Sequence, residues 1–217
     1  MSAKYPRTPH LPGSLSIDRD DRVSGDLGAL LGVDVVVTEK LDGANVCLLP
    51  DALYARSHSG PPSHPAFDHA KAAHARVAWR LPEHVSVFAE HLHAVHSVVY
   101  PELPSEAELQ VFGARDDLAN VWWAWDDVVT LARDLVLPVV PELWRGIFRS
   151  GAELQAAAQR YASQRSAYGP DREGVVIRAA ARFSDGEFGR RVVKWVRGDH
   201  APGAAWSRTT VRRHQRV

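Results

Sequence analysis

Short runs of apolar and β-branched residues, broken by glycine, proline and charged residues, recur along the whole chain. Residues 33–39 are rich in β-branched side chains, a composition typical of a β-strand. Residues 45–49 and 53–57 predict the next two strands, joined by a turn at Pro50 and Asp51. Further strands are predicted at residues 85–92, 109–114, 120–125, 174–181 and 191–196.

Three segments show the spacing or the capping residues of α-helices. Apolar residues recur at helical spacing between residues 65 and 80, which predicts a helix there. A second helix, capped by Asp126 or Asp127, is expected directly after the strand at residues 120–125. Ser150 and Glu153 form a capping-box pattern that predicts the start of a third helix.

The order of these elements predicts an α+β fold, with mainly antiparallel sheets and helices packed outside them. The sequence has no regular β-α-β alternation and no glycine-rich phosphate loop, which argues against Rossmann and P-loop folds. Residues 1–206 are predicted to form one domain that opens with a proline-rich, irregular arm over residues 1–21. Residues 207–217 are expected to be a basic tail, with no further domain.

The composition fits a globular protein without a disulfide framework. Hydrophobic residues make up 45% of the chain, and the formal net charge is zero. Cys47 is the sole cysteine, so we expect a reducing, cytoplasmic setting. No apolar run approaches the roughly 20 residues of a membrane span, so no membrane association is expected. The tail holds four arginines and no acid, which suits either nucleic-acid phosphates or a frayed, solvated end.

The candidate nucleophile is Lys40, in the sequence Glu39-Lys40-Leu41-Asp42-Gly43. This lysine follows a predicted strand and precedes a glycine turn, so its position is expected to be fixed. A lysine can act as a nucleophile once its ammonium group loses a proton. We expect burial and nearby cations to lower the pKa of Lys40 and so to favour that loss.

Further motifs supply the other groups that nucleotidyl transfer requires. Such a site needs cations for an α-phosphate, a carboxylate for a ribose, a ring for a purine and a carboxylate for magnesium. Each motif alone fits an ordinary amphipathic strand, but their order along the chain favours one shared site. The motifs are Arg56, Val87 to Glu90, Val111 to Gly113, Glu173 to Arg178 and Val193 to Arg197.

With these motifs in this order, the sequence resembles the covalent nucleotidyltransferase superfamily of ligases and capping enzymes. Within it, the chain is most similar to the RNA ligase group related to phage RNA ligase 2. The matching motifs span residues 39–197, and residues 5–12 and 96–100 also resemble that group. The resemblance implies a nucleotidyltransferase domain of the ATP-grasp-like type.

The resemblance also implies a role for each matching residue. Lys40 would form a lysyl-AMP adduct, and Lys194 or Arg197 would hold the α-phosphate. Glu90 would accept a hydrogen bond from the ribose, and Glu173 would hold magnesium through water. The other contacts would come from Glu39 at the adenine edge, Asn45 at phosphate and metal, Arg56 at the nucleotide and later the RNA phosphate, and Phe112 stacked on the adenine.

Three departures from the family pattern affect these implications. Ala89 stands where glycine is usual, which is a mild change. Lys194 is followed by Arg197, where many relatives have two lysines two positions apart, so the residue that reaches the α-phosphate stays open. Only twenty residues follow Arg197, so we expect neither an OB fold nor a helical module there.

The resemblance implies an ATP-dependent RNA ligase that uses magnesium, with manganese as an alternative. Its substrate would be RNA with a 5′-phosphate and a 3′-hydroxyl, and a partner protein could supply the missing domain. A DNA ligase or a capping guanylyltransferase ranks lower, because both normally rely on an OB domain. A nucleotide- or RNA-binding relative without catalysis is the alternative of another class, and retention of Lys40, Glu90, Glu173 and Lys194 argues against it.

Two clusters of ring-bearing residues admit more than one interpretation. His91, His93 and His96 suggest a metal site, but no cysteine and no spaced fourth ligand accompanies them, which favours a polar face near RNA. Trp122, Trp123 and Trp125 could stack on bases, but residues of this type are more often in the core. Trp123 and Trp125 would share one strand face, which also favours packing in the core.

Overall fold

The computed structural model describes residues 4–14, 21–57, 60–198 and 213–214, and within them antiparallel pairing organises every named strand. The strands are β1 (Asp34–Lys40), β2 (Ala44–Leu48), β3 (Leu53–Ala55), β4 (Val85–His91), β5 (Leu109–Asp116), β6 (Val121–Trp122), β7 (Glu142–Ile147), β8 (Gly174–Ala179), β9 (Phe183–Ser184) and β10 (Val192–Val196). They form a four-stranded sheet in the order β10-β8-β1-β7 and a six-stranded sheet in the order β3-β2-β4-β5-β6-β9.

The helices lie outside these sheets, as the sequence predicts. They are α1 (Asp68–Val77), α2 (Trp125–Asp134), α3 (Gly151–Ala162) and α4 (Phe188–Arg191). Ser150 caps α3, since its hydroxyl accepts a hydrogen bond from the Glu153 amide at 3.2 Å. The Glu153 carboxylate in turn accepts from the Arg149 amide at 2.8 Å, one residue earlier than in a capping box.

Two apolar clusters hold the elements together. The first packs the six-stranded sheet against α1 and α2, and Trp125 lies within it. The second packs the four-stranded sheet against α3 and α4, and Trp122 lies within it. The preference for core packing of the tryptophans therefore holds for these two rings, each only 1% exposed. None of the helices in the described ranges is both long and apolar enough to cross a membrane.

Several element boundaries differ from the predictions. The strand predicted at residues 120–125 ends at Trp122, because Trp125 opens α2 and Ala124, not an aspartate, is its N-cap. Trp123 and Trp125 therefore do not share a strand face. The helix predicted over residues 65–80 is α-helical only in α1, with a 3-10 turn at each end.

The prediction missed two strands, β7 and β9. β7 is an edge strand with no buried residue, and the two-residue β9 pairs only with β6. Neither segment has the run of buried β-branched residues by which the other strands were recognised. Most of the predicted basic tail lies outside the described residues, which include only Arg213 and His214 from it.

Candidate active site

The four-stranded sheet presents a row of cations on one face. Lys194 pairs with Val176, which pairs with Thr38, so these three side chains point the same way. Lys40 lies two residues beyond Thr38 and therefore shares that face, as does Arg178, two residues beyond Val176. Antiparallel register alone thus brings Lys40 and Lys194 together, although 154 positions separate them in the sequence.

The six-stranded sheet supplies carboxylate, amide and ring groups. Asn45 on β2 pairs with Glu90 on β4, so both side chains point to the same side. Phe112 lies in a β-bulge, because Phe88 pairs with Gly113 while Ala89 pairs with Val111. A bulge turns the direction of the side chain it contains, and it gives Phe112 a half-buried position between buried neighbours.

Arg178 braces this bulge from the opposite sheet. Its guanidinium donates to the Phe112 carbonyl at 3.1 Å and to the Trp123 carbonyl at 2.9 Å. The side chain is 5% exposed, and burial lowers its pKa below the ordinary arginine value. The two hydrogen bonds join the sheets beside the ring that is predicted to stack on a base.

A cavity of about 560 Å³ lies between the two sheets. Seven of the predicted site residues line it: Glu39, Lys40, Asn45, Arg56, Glu90, Phe112 and Lys194. Tyr5 and Thr8 of the N-terminal arm and His96 line it as well. Arg197 is not among the lining residues, and its backbone amide donates to the Glu173 carbonyl at 3.1 Å. Lys194 is therefore the member of that pair that reaches the cavity.

Glu173 joins the site through an ion pair with the candidate nucleophile. Its carboxylate Oε2 lies 2.5 Å from the Lys40 Nζ, and the carboxylate side chain is 8% exposed. This proximity follows from register, because Lys40 pairs with Gly174 and Glu173 directly precedes that residue.

The expected lowering of the Lys40 pKa is wrong for the protein without a nucleotide. Burial does act to lower this pKa, but the charges of Glu173, Glu90 and Asp42 outweigh it, and the pKa is raised. The pKa of Lys194 is lowered, as expected for a buried cation near another cation. Burial and then the Lys40 charge lower its pKa, against the opposing charge of Asp21.

Glu90 also lines the cavity, and its surroundings strongly shift the pKa of its carboxyl group. Burial raises the pKa of Glu90 to about 8, against the opposing charge of Lys40. Its Oε1 accepts a hydrogen bond from the Gly43 amide at 3.1 Å. This bond ties β4 to the turn that follows the candidate nucleophile.

That turn is also held by the loop after β4. Asp42 Oδ2 accepts from the Ser97 amide at 2.7 Å, the Ser97 hydroxyl at 2.6 Å and the Val98 amide at 2.7 Å. The Asp42 amide donates to the Tyr100 hydroxyl at 2.8 Å. Burial alone would raise the pKa of Asp42, but the bonds from Ser97 and Val98 keep it below the ordinary value.

Glu39 faces away from this arrangement. Its carboxylate accepts from the Ser166 hydroxyl at 2.5 Å and the Ala167 amide at 3.0 Å, and Arg172 lies 3.4 Å away. Only 1% of Glu39 is exposed. The side chain therefore anchors the segment before β8, which carries Glu173.

Sequence reasoning did not assign roles to Arg178, Asp21 or Ser166. Asp21 lies 3.5 Å from the Lys194 Nζ and 2.8 Å from His10 Nε2, so it joins the N-terminal arm to the site. Only Arg178 carried a usable signal, since a charge in the middle of an otherwise apolar strand is unusual unless it is paired.

The family described as RNA ligase matches residues 33–196 of this chain. No curated protein matches the sequence. An archaeal ATP-dependent RNA ligase structure aligns with a TM-score of 0.58 at 17% identity, covering 89% of this chain and 48% of that one. A Naegleria gruberi RNA ligase structure with pyrophosphate aligns with a TM-score of 0.56 at 17% identity, covering 91% and 60%.

A Naegleria gruberi RNA ligase variant with ATP and Mn also aligns, with a TM-score of 0.58 at 16% identity, covering 88% of this chain and 59% of that one. The chain thus spans about half to three fifths of the length of these ligases. The likeness confirms the predicted fold class, an α+β domain with mainly antiparallel sheets.

Proposed function

This chain belongs to the RNA ligase family, and from that premise we propose that it is an ATP-dependent RNA ligase that forms a lysyl-AMP intermediate on Lys40. Within the family, we propose the group related to phage RNA ligase 2. The proposal is carried by one observation: Lys40 and Lys194 line a cavity together with Glu90, Asn45 and Phe112, and Glu173 forms an ion pair with Lys40.

The cavity suits an adenine nucleotide in both size and chemistry. Its volume of about 560 Å³ lies within the range of roughly 300–1,000 Å³ usual for small-molecule sites. Phe112 would stack on the adenine, and Glu90 would accept a hydrogen bond from the ribose. Because the Glu39 carboxylate is already bonded to Ser166 and Ala167, Glu39 would contact the adenine edge through its main chain.

The proposed reaction begins at the Lys40 amine. The ammonium first gives up a proton, and Glu173 is an acceptor in contact with it. The Nζ lone pair then forms a bond to the α-phosphorus of ATP, while the bond from that phosphorus to the bridging oxygen breaks and pyrophosphate leaves. Lys194 would stabilise the charge that builds on the α-phosphate oxygens.

Two further transfers would complete ligation. An oxygen of the RNA 5′-phosphate displaces Lys40 from the adenylate, which creates a phosphoanhydride between AMP and the RNA end. The 3′-hydroxyl of the second strand then attacks the RNA phosphorus and AMP leaves. Arg56, an exposed residue at the rim of the cavity, would contact the nucleotide first and the RNA phosphate later.

A magnesium ion, or manganese in its place, fits the carboxylates beside Lys40. Glu173 and Glu90 are close enough that the charge of each raises the pKa of Lys40, and Asn45 pairs with Glu90 across β2 and β4. Carboxylate and amide oxygens are the ligands that magnesium prefers. We propose that Glu173 holds the ion through water, where it would neutralise phosphate charge.

Labelling with ATP tests the proposal directly. Incubation of the protein with magnesium and ATP that carries a labelled α-phosphate should give an acid-labile, covalent AMP adduct. Lys40→Ala should abolish the adduct, whereas Lys71→Ala, which removes a lysine from the surface of α1, should leave it intact. Labelling that survives Lys40→Ala would remove the proposal, and preference for GTP would favour a capping guanylyltransferase.

Strand joining needs its own test, because the adduct alone does not define the acceptor. Nicked duplexes, single strands and broken hairpins of RNA, each with a 5′-phosphate and a 3′-hydroxyl, should be compared with the same ends in DNA. We expect sealing of at least one RNA substrate at a higher rate than its DNA counterpart. Adduct formation without sealing of any RNA would mean that this chain needs a partner protein for the later steps.

A further inference from the structure

Three imidazole rings and a carboxylate form a cluster where β4 ends and β5 begins, in the interior of the six-stranded sheet. The rings of His69, His91 and His93 are nearly parallel and form a triangle, with ring centroids 5.1–5.8 Å apart and interplanar angles of 3–10°. Glu108 closes the cluster, since its Oε2 lies 2.6 Å from His93 Nδ1 and 3.4 Å from His69 Nε2. None of these four residues is among those that line the nucleotide cavity.

The cluster is assembled from three separate segments. His69 is in the first turn of α1, His91 ends β4, and Glu108 directly precedes β5. A hydrogen bond of 2.7 Å from the Leu92 amide to the Glu108 carbonyl keeps the last two segments together. The sequence pattern indicated no further ligand to accompany His91, His93 and His96. His69 and Glu108 are distant from His93 in the sequence and come close to it only in the folded chain.

We propose that His69, His93 and Glu108 bind a divalent transition-metal ion, and that zinc is the ion they suit best. One possible ligand atom from each residue lies within 4.8 Å of the others. Zinc takes imidazole nitrogen and carboxylate oxygen at about 2.0–2.2 Å, so tetrahedral ligand atoms lie roughly 3.3–3.6 Å apart. The separation of 3.4 Å between His69 and Glu108 matches this, and a small side-chain rotation would bring His93 to the same spacing.

His91 would hold one ligand in the required tautomer. Its Nε2 lies 3.3 Å from His69 Nδ1, so His69 can donate the Nδ1 proton to His91. The lone pair on His69 Nε2 then faces Glu108 and is free for a metal. An imidazole ligand usually donates the N–H of its second ring nitrogen to an acceptor, which fixes its orientation. Here the acceptor would be the second imidazole, His91. His91 is 2% exposed, which suits an orienting role.

Ligand type separates this site from the magnesium site proposed in the nucleotide cavity. Two nitrogen ligands favour zinc and similar ions, whereas magnesium prefers oxygen ligands throughout. The side chains of His69 and His93 are 27% and 13% exposed, so an ion has a path from solvent and a fourth position for water.

A metal here would link α1 to the loop that supports the nucleophile. His93 begins the segment that leads to Ser97 and Val98, and both of these residues hold Asp42 in the turn after Lys40. The ion would therefore fix the start of that loop to α1 and β5. This effect is structural, so it adds a tether without taking part in nucleotidyl transfer.

Metal titration of the full chain tests the site without using ATP, so its outcome is independent of the ligase proposal. After chelator treatment, calorimetry with zinc should show about one tightly bound ion per chain. Cobalt(II) in its place should give the strong visible absorption of a four- or five-coordinate ion. Absence of a stoichiometric zinc site, or a cobalt spectrum like that of the hydrated ion, would overturn the proposal.

Variants locate the ion. His93→Gln and Glu108→Gln should each raise the zinc Kd at least about ten-fold, and His91→Gln should raise it by roughly 10–100-fold through His69. His84→Asn is the matched control, because His84 is exposed and its φ of 59° is one that asparagine tolerates. Circular dichroism would check that each variant folds. Equal zinc affinity in all folded variants would place the ion elsewhere and overturn the assignment.

Discussion

At the scale of single residues, the carboxylates around Lys40 favour the protonated form of this proposed nucleophile. Glu173, Glu90 and Asp42 together raise its pKa, although burial acts in the opposite direction. A protonated lysine has no lone pair for attack on phosphorus. In the protein without a nucleotide, the side chain of Lys40, the proposed nucleophile, is therefore an ammonium ion that is paired with Glu173.

The raised pKa predicts the pH dependence of adduct formation. Since the neutral amine is the reactive form, kcat/KM should rise as the pH is increased from neutral toward the ordinary lysine pKa of about 10.4. Glu173→Gln should shift this rise to lower pH, because it removes the largest charge that favours the ammonium. Single-turnover labelling across pH measures both profiles. A profile that is flat or falls over this range would mean that Lys40 is already neutral in the free protein.

Glu173 and Lys194 are expected to affect the rate of adduct formation more than the binding of ATP. Lys194 would place a positive charge where phosphate charge builds up, and Glu173 would hold the magnesium ion that neutralises phosphate charge. Loss of one such group typically costs roughly 100-fold in rate. Glu173→Ala and Lys194→Ala should each reduce single-turnover adduct formation by about that factor at saturating ATP. If more ATP restored the full rate for Glu173→Ala, Glu173 would be only a binding residue.

At the scale of elements, the turn between β1 and β2 has little room for adjustment. A Cβ atom added to Gly43 would lie 2.5 Å from the His91 carbonyl oxygen and 2.8 Å from the Leu92 side chain. Three hydrogen bonds from Ser97 and Val98 fix Asp42 next to it. The glycine of this motif is therefore required by the close approach of β4.

Gly43→Ala should consequently move the turn and destabilise the fold. Forced displacement of packed backbone typically costs about 1–3 kcal/mol in the free energy of unfolding. Adduct formation should fall further than stability alone explains, because Lys40 lies three residues away. Gly186→Ala is the matched control, since no atom lies within 4 Å of the added Cβ. Denaturant unfolding and labelling of both variants would test this, and equal stability would show that the turn adapts.

At the scale of the whole molecule, the cavity exists only because two sheets face each other. The four-stranded sheet contributes Lys40, Lys194 and Arg178, and the six-stranded sheet contributes Glu90, Asn45 and Phe112. Arg178 joins them through the Phe112 and Trp123 carbonyls. The proposed adduct formation needs groups on these sheets and Glu173, which directly precedes β8, whereas strand joining must also hold a second RNA end.

The basic tail is a candidate for holding that end. Truncation after Asp199 should leave adduct formation largely intact but weaken RNA binding and sealing. The lost affinity should depend on salt, by up to about 0.9 log units per log unit of salt for each phosphate contact on a duplex. Filter binding and sealing assays across salt concentrations measure this. Equal sealing by both proteins would show that the tail does not contact RNA.

One described tail residue requires a separate control. His214 accepts a hydrogen bond from the Tyr100 amide at 2.9 Å. The Tyr100 hydroxyl in turn accepts a hydrogen bond from the amide of Asp42, in the turn between β1 and β2. His214→Ala in the full chain removes this contact but keeps every arginine of the tail. Loss of adduct formation in both the truncation and His214→Ala would assign the tail to the catalytic core.

The sequence by itself determined the fold class, most strands and seven of the residues that line the cavity. β-branched runs such as residues 33–39 report local strand preference, and the order of motifs carries the family resemblance. Both the β-branched runs and the order of the motifs can be identified in the sequence without knowledge of tertiary contacts. β7 and β9 were missed because an exposed edge strand and a two-residue strand have almost no local pattern.

Only the tertiary structure decided the charge state of Lys40 and the choice between Lys194 and Arg197. A pKa depends on which groups surround a side chain, and the pairing of β1 with β8 places Glu173 against Lys40. In the same way, the β5 bulge sets the direction of Phe112, and the packing of α1 brings His69 to His93 and Glu108. Distances between residues that are far apart in the chain depend on strand register and on packing between elements. Neither can be inferred from a local sequence pattern.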